Sequence, residues 1–148
     1  MRHSVYRLIA LAAALSLSSC ISCYPVRMTQ AEMASAGLTI GTVVEAKRML
    51  YASLEKDIDG GPNVVYVTEE ELYKKHYVLR QFTVSRGTRF EFIGFLRPRN
   101  FLCSSIYGVL RPIVPIEPTG AEVNIRMEET PDGTFAFDPE MFVEVKRE

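Results

Sequence analysis

Thiols and imidazoles are the first places to look for chemistry, and this 148-residue chain has few: Cys20, Cys23, Cys103, His3 and His76. A thiol can attack a substrate, ligate zinc, enter a disulfide or carry a modifying group. A Cys–His nucleophile pair would have to be Cys103 with His76, and no motif flanks either residue. A zinc site needs three or four N/S ligands at short spacing, which the chain lacks. Glu69, Glu70 and Glu71 point about 100° apart if helical, so they do not converge on a cation. Asp57-x-Asp59-Gly60-Gly61 lacks the closing glutamate of a calcium loop. No phosphate-binding glycine motif or serine-nucleophile elbow occurs. No catalytic residue, metal ligand or cofactor is therefore assigned, and the chain is read as a non-enzyme. The residue with the most ordered surroundings is Cys20, at the end of Leu17-Ser18-Ser19-Cys20.

The elements before Cys20 decide what that thiol does. Residues 1–20 contain no acid; Arg2 and Arg7 precede the apolar run Leu8–Leu17. That run is too short to span a bilayer but suits the h-region of an export signal. Leu17-Ser-Ser-Cys20 resembles a bacterial lipobox, with an aliphatic residue at −3, small residues at −2 and −1, and cysteine at +1. The resemblance implies a diacylglyceryl (palmitate-type) modification of Cys20, cleavage between Ser19 and Cys20, and acylation of the new amine. Cys23 is the poorer acceptor, because Ile21 is bulky at its −2 position and Cys20 replaces the aliphatic residue at −3. Two or three acyl chains anchor stably where one is marginal. Ile21 stands where such lipoproteins carry Asp to stay in the inner membrane, which implies an outer-membrane lipoprotein facing the periplasm. The expected organisation is a signal peptide over 1–19, a lipidated tether over 20–28 and one small domain over 29–148. An exported compartment permits disulfides, so Cys23 and Cys103 either bridge or stay free. A bridge would close a loop of about 80 residues, worth roughly 4–5 kcal/mol in the chain-entropy model.

The rest of the chain reads as mainly β, a small antiparallel barrel or sandwich with one or two short helices. Thr29-x-x-Glu32 is a capping box, followed by the helix-favouring Met33, Ala34 and Ala36 and then Gly37 as the C′ residue. Thr68-x-x-Glu71 repeats the box and predicts a second helix start. Leu38–Leu50 is β-rich, Asp57–Asn63 a loop and Val64–Val67 a buried strand. Val78, Phe82 and Val84 share a face, Ser85–Thr88 supplies a glycine turn, and Phe90 and Phe92 alternate with Arg89 and Glu91. These features predict a β-hairpin with an aromatic inner face. Its Val84-Ser-Arg-Gly-Thr-x-Phe90-x-x-x-Gly94 run resembles the strand–turn–strand of bacterial SH3-like modules, which implies binding to cell-wall peptides. Ile106–Leu110 is a further strand. Pro112, Pro115 and Pro118 punctuate an extended connection that should not be a central strand. Ala121–Met127, a turn at Thr130–Gly133, Thr134–Phe137 and Met141–Lys146 complete the chain.

Charge is segregated along the sequence: residues 20–73 carry net −4, residues 74–111 net +7 and residues 112–148 net −6. If the hairpin forms, Arg80, Arg86, Arg89, Arg97 and Arg99 present a basic face for an anionic partner. The alternative is that acidic flanks neutralise this segment within the domain. With an overall charge of −1 and an exported address, nucleic acid is not an expected partner. The expected role is a membrane-anchored envelope lipoprotein whose β domain binds an envelope protein or peptidoglycan. Inhibition of lysozyme or a protease is the alternative, and a hydrolase with an unrecognised site ranks third.

Overall fold

The computed structural model describes residues 25–56, 63–72, 75–98, 105–116 and 121–145. In chain order the elements are β1 (Pro25–Arg27), α1 (Gln30–Ala34), β2 (Val43–Ala46), β3 (Leu50–Glu55), β4 (Val64–Thr68) and β5 (Val78–Val84). There follow β6 (Arg89–Pro98), β7 (Tyr107–Pro112), β8 (Val123–Arg126), β9 (Glu128–Glu129), β10 (Phe135–Ala136) and β11 (Phe142–Val145). Nine strands form one sheet in the order β11-β2-β6-β7-β8-β4-β3-β5, with β1 joining β6, while β9 and β10 form a small ribbon. The mainly β class is as the alternation predicts. All pairings are antiparallel except β4 with β8, which run parallel from Val65↔Val123 to Val67↔Ile125.

Two short connections force this sheet to fold over. On a flat sheet, β5 and β6 would lie five strand spacings apart, about 24 Å. The chain from Val84 to Arg89 reaches at most about 18 Å. The same five spacings separate β2 from β3, joined by Lys47–Met49, which reach still less. Folding brings residues from both ends of the strand order into one core: Val44, Leu50, Val84, Phe90, Leu110 and Phe142. The terminal strands β11 and β5 do not pair among the described residues, so the result is sandwich-like rather than a closed barrel.

The aromatic face predicted for β6 is the centre of that core. Phe90 and Phe92 are fully buried, and Phe95 is 1% exposed. Edge-on and tilted contacts link Phe135, Phe95, Phe92, Phe137, Phe142 and Phe90 in series, with centroids 4.8–6.1 Å apart. These geometries suit the ring quadrupole and add to burial. The capping box at Thr29 forms: Glu32 accepts the Thr29 N–H at 2.8 Å, and Thr29 Oγ1 accepts the Glu32 N–H at 3.4 Å. α1 ends at Ala34 with Ser35 as its C-cap, so Gly37 (φ +86°) lies two residues beyond the cap, one later than expected. Too short to persist alone, the helix lays Met33 on the core, with Ala36 buried just after it.

Three expectations are corrected. The Ser85–Thr88 turn exists, but β5 and β6 do not pair; β5 lies on β3, and β6 lies on β1, β2 and β7. β2 takes the hairpin partner's place, and Ala46 holds the turn by donating to Thr88 O (2.9 Å) and accepting from Gly87 N (2.8 Å). Thr68 caps no helix: it closes β4, and its hydroxyl donates to Glu70 O at 2.8 Å. Pro112 is the last residue of β7, a central strand. Ile113 N donates to Arg89 O on the β6 side, so the nitrogen of Pro112 faces the β8 side. There the ladder has already ended at Leu110↔Val123, and the missing donor costs no hydrogen bond.

Candidate functional site

Cys20, Cys23, Cys103 and Arg99 lie outside the described residues. Of the other arginines singled out by sequence, Arg80 is exposed on β5 and Arg86 is exposed in the turn that follows. Arg89 and Arg97 both belong to β6, but they do not share a face. The register shifts between Phe92 and Gly94, where Gly94 adopts φ +149°. A bulge of this kind moves every later side chain to the opposite side. Before it, Phe90 and Phe92 point inward and Arg89 outward; after it, Phe95 points inward and Arg97 falls on the same side. There Arg97 meets Glu32 of α1 at 3.0 Å.

Acidic partners come mainly from the flanking segments. Arg89 Nε lies 2.7 Å from Glu45, Arg48 lies 2.8 Å from Glu69, and Arg27 pairs with Glu122. Arg111, 3.9 Å from Glu91, completes a ladder of alternating charge across β2, β6 and β7. Exposed pairs of this kind contribute little stability each, and two of them, Arg89–Glu45 and Arg97–Glu32, set carboxylates of the flanking segment against cations of the 74–111 segment. The structure thus gives Arg89 and Arg97 carboxylate partners and does not gather the basic residues on one hairpin face. His76 is exposed, with its ring 5.5 Å from that of Tyr77. Lys75 lies 5.7 Å from the centre of the Tyr77 ring, and a hydrogen bond with Tyr77 raises its pKa above the ordinary lysine value.

A concave surface among the described residues lies elsewhere, where β4 and β8 end beside the β9–β10 ribbon. It is a groove of about 510 Å³, half open to solvent. Its floor is apolar: Ile125, Met127 and Met141 are buried, and Ile106 and Phe135 partly so. Met127 N donates to Ile106 O at 2.9 Å, which fixes one wall to the other. Carboxylates of Glu69, Glu128, Glu129 and Asp138 line it against one cation, Arg126. Sequence reasoning did not reach this site, because its residues come from four separated stretches of chain. The one signal available was the net −6 of residues 112–148.

Among the described residues, no three His, Cys, Asp or Glu side chains are grouped to hold a metal ion. No helix among them is long and apolar enough to cross a membrane. No protein-family model, curated protein or solved structure matches this chain.

Proposed function

We propose that this chain is an envelope lipoprotein, anchored through acyl groups on Cys20, whose β domain is a non-enzymatic binding module. The observation that carries the reading is the order Arg2/Arg7, Leu8–Leu17, Leu17-Ser-Ser-Cys20, three signals that act in succession in one export pathway. The domain's own geometry sets where such an anchor would attach. β1 begins at Pro25, five residues after Cys20, and pairs with the end of β6 at Pro25↔Pro98. Five residues span at most about 18 Å. A lipidated Cys20 would therefore hold the β1 side of the sheet against the bilayer surface, with little slack. A thioether-linked pair of chains plus an amide-linked third would anchor such a protein stably, consistent with a local binding role.

Labelling with radioactive palmitate in a Gram-negative host tests the anchor. The wild-type chain and Cys23→Ser should both take up label. Cys20→Ser should take up none and should accumulate at the unprocessed size. Label that persists in Cys20→Ser, or that disappears in Cys23→Ser, would remove the assignment.

A further inference from the structure

We infer that the groove beside the β9–β10 ribbon is a docking site for a basic, partly aliphatic protein segment. This inference rests on the binding-module reading above but not on the anchor. Three observations define the occupant. The floor is hydrophobic and deformable: Met127 and Met141 are unbranched thioethers that refit to different side chains, the property that makes methionine common on adaptable binding surfaces. The rim is acidic, four carboxylates to one guanidinium, and no ion pair engages Glu128 or Glu129 among the described residues. Glu69 is already matched by Arg48 at 2.8 Å, and Asp138 Oδ1 accepts the Glu140 N–H at 2.8 Å. Finally, the groove is half open, whereas small-molecule sites usually enclose most of their ligand. A polymer segment fills an open trough better than a compact metabolite does.

Charge complementarity selects among polymers. Phosphate-bearing partners, whether nucleic acid or lipid headgroup, meet a rim of their own sign. A lysine- or arginine-bearing segment meets the opposite sign, which steers its approach and favours the encounter complex. Its aliphatic side chains then cover the floor residues Ile106 and Phe135, which are only half-buried in the free domain. In the ribbon, the pairing Phe135↔Glu129 sets Glu129 on the face of Phe135, which lines the groove, while Glu128, paired with Ala136, stands on the alternate face and acts through its charge at the groove's edge.

Binding of a fluorescein-labelled decapeptide of alternating lysine and leucine, followed by anisotropy on the full chain in mild detergent, tests the assignment. Glu128→Gln/Glu129→Gln should weaken binding about fivefold to tenfold, the effect of removing two exposed attractive charges. Glu55→Gln/Glu144→Gln removes the same charge at positions that do not line the groove, Glu55 lying at the opposite end of the β3–β4 pair from Thr68, and should change affinity less than about twofold. Ile106→Ser, at a half-buried position, should weaken the lysine–leucine peptide but not an all-lysine one. Thermal melting of each variant confirms that it is folded. Equal weakening by the two double variants, or equal affinity for the all-lysine and lysine–leucine peptides, would reduce the effect to diffuse attraction and overturn the site. Absence of binding by the wild-type chain would overturn it as well. None of these outcomes bears on palmitate labelling, so failure here and failure of the anchor are distinguishable.

Discussion

Gly37 and Gly133 both hold left-handed backbone, at φ +86° and +80°, yet their surroundings differ. A Cβ on Gly37 would sit 2.7 Å from the Cβ of Thr134, a branch point that cannot rotate away, whereas one on Gly133 would meet nothing within 4 Å. Gly133→Ala should therefore cost only the conformational strain, about 1 kcal/mol. Gly37→Ala should cost that plus the overlap, about 2–4 kcal/mol, and urea unfolding of both variants measures the difference. Two carboxylates nearby make stability depend on pH. Glu32 is held below its ordinary value of 4.5 by the backbone N–H of Thr29 and then by its hydroxyl. Asp132 is held below its ordinary 3.8 by the hydroxyl of Thr130, then by that of Thr134. A carboxylate whose pKa is depressed by folding stabilises the native state above its unfolded pKa. That contribution fades as pH falls through the two values. The melting temperature should thus be level near neutrality and fall below about pH 5. The double variant Glu32→Gln/Asp132→Asn should show a lower but flatter acid limb in melts from pH 7 to pH 3. An acid limb as steep as wild type would contradict these roles.

At the scale of elements, what could be read from sequence and what could not divide on a physical line. Patterns satisfied within a few residues were legible. The Thr29–Glu32 box caps α1, Thr130–Gly133 turns between β9 and β10, and the alternation through Phe90 and Phe92 marks the buried side of β6. Choices made by competition between distant segments were not. Val78–Val84 and Arg89–Pro98 had every local reason to form a hairpin, but β2 and β3 offered better-matched neighbours. The two Thr-x-x-Glu boxes look alike, yet Thr29 is followed by Met33 and Ala36, which reach the core. Thr68 instead ends a strand already committed to β3 through Tyr51↔Thr68. The bulge before Gly94, which separates Arg97 from Arg89, has no counterpart in simple alternation. The groove, assembled from strand ends far apart in the chain, was invisible for the same reason. The phenylalanine series gives a direct test of the packing. Phe137 touches both Phe92 and Phe142 at 5.9 and 5.8 Å. Phe137→Ala should destabilise by about 3–5 kcal/mol in chemical denaturation, and a loss below about 1 kcal/mol would contradict its place in the core.

For the whole molecule, the sheet order places sequence-distant strands side by side: β2 with β11, β6 with β1, β4 with β8. Loop-closure entropy must be paid before such pairs form, so folding should take milliseconds to seconds. Stopped-flow refolding checks this, and a dominant microsecond phase would conflict with the topology. The same order also sets how the domain would sit in an envelope. β1 enters beside the end of β6, and across β7 lies Arg126, at Leu96↔Tyr107↔Arg126, on the wall of the acidic groove. The groove and the chain's entry point thus share one rim, within about three strand spacings, roughly 15 Å. A short lipidated tether would present the groove near the bilayer, where basic segments of membrane-associated proteins are found. That picture depends on the sulfur of Cys20. Mass spectrometry of the N-terminal peptide from protein purified out of a Gram-negative envelope reads its state directly. The account predicts a peptide that begins at Cys20 and bears a thioether-linked diacylglyceryl group with an acylated amine. A free Cys20 thiol, or a chain that retains residues 1–19, would contradict it.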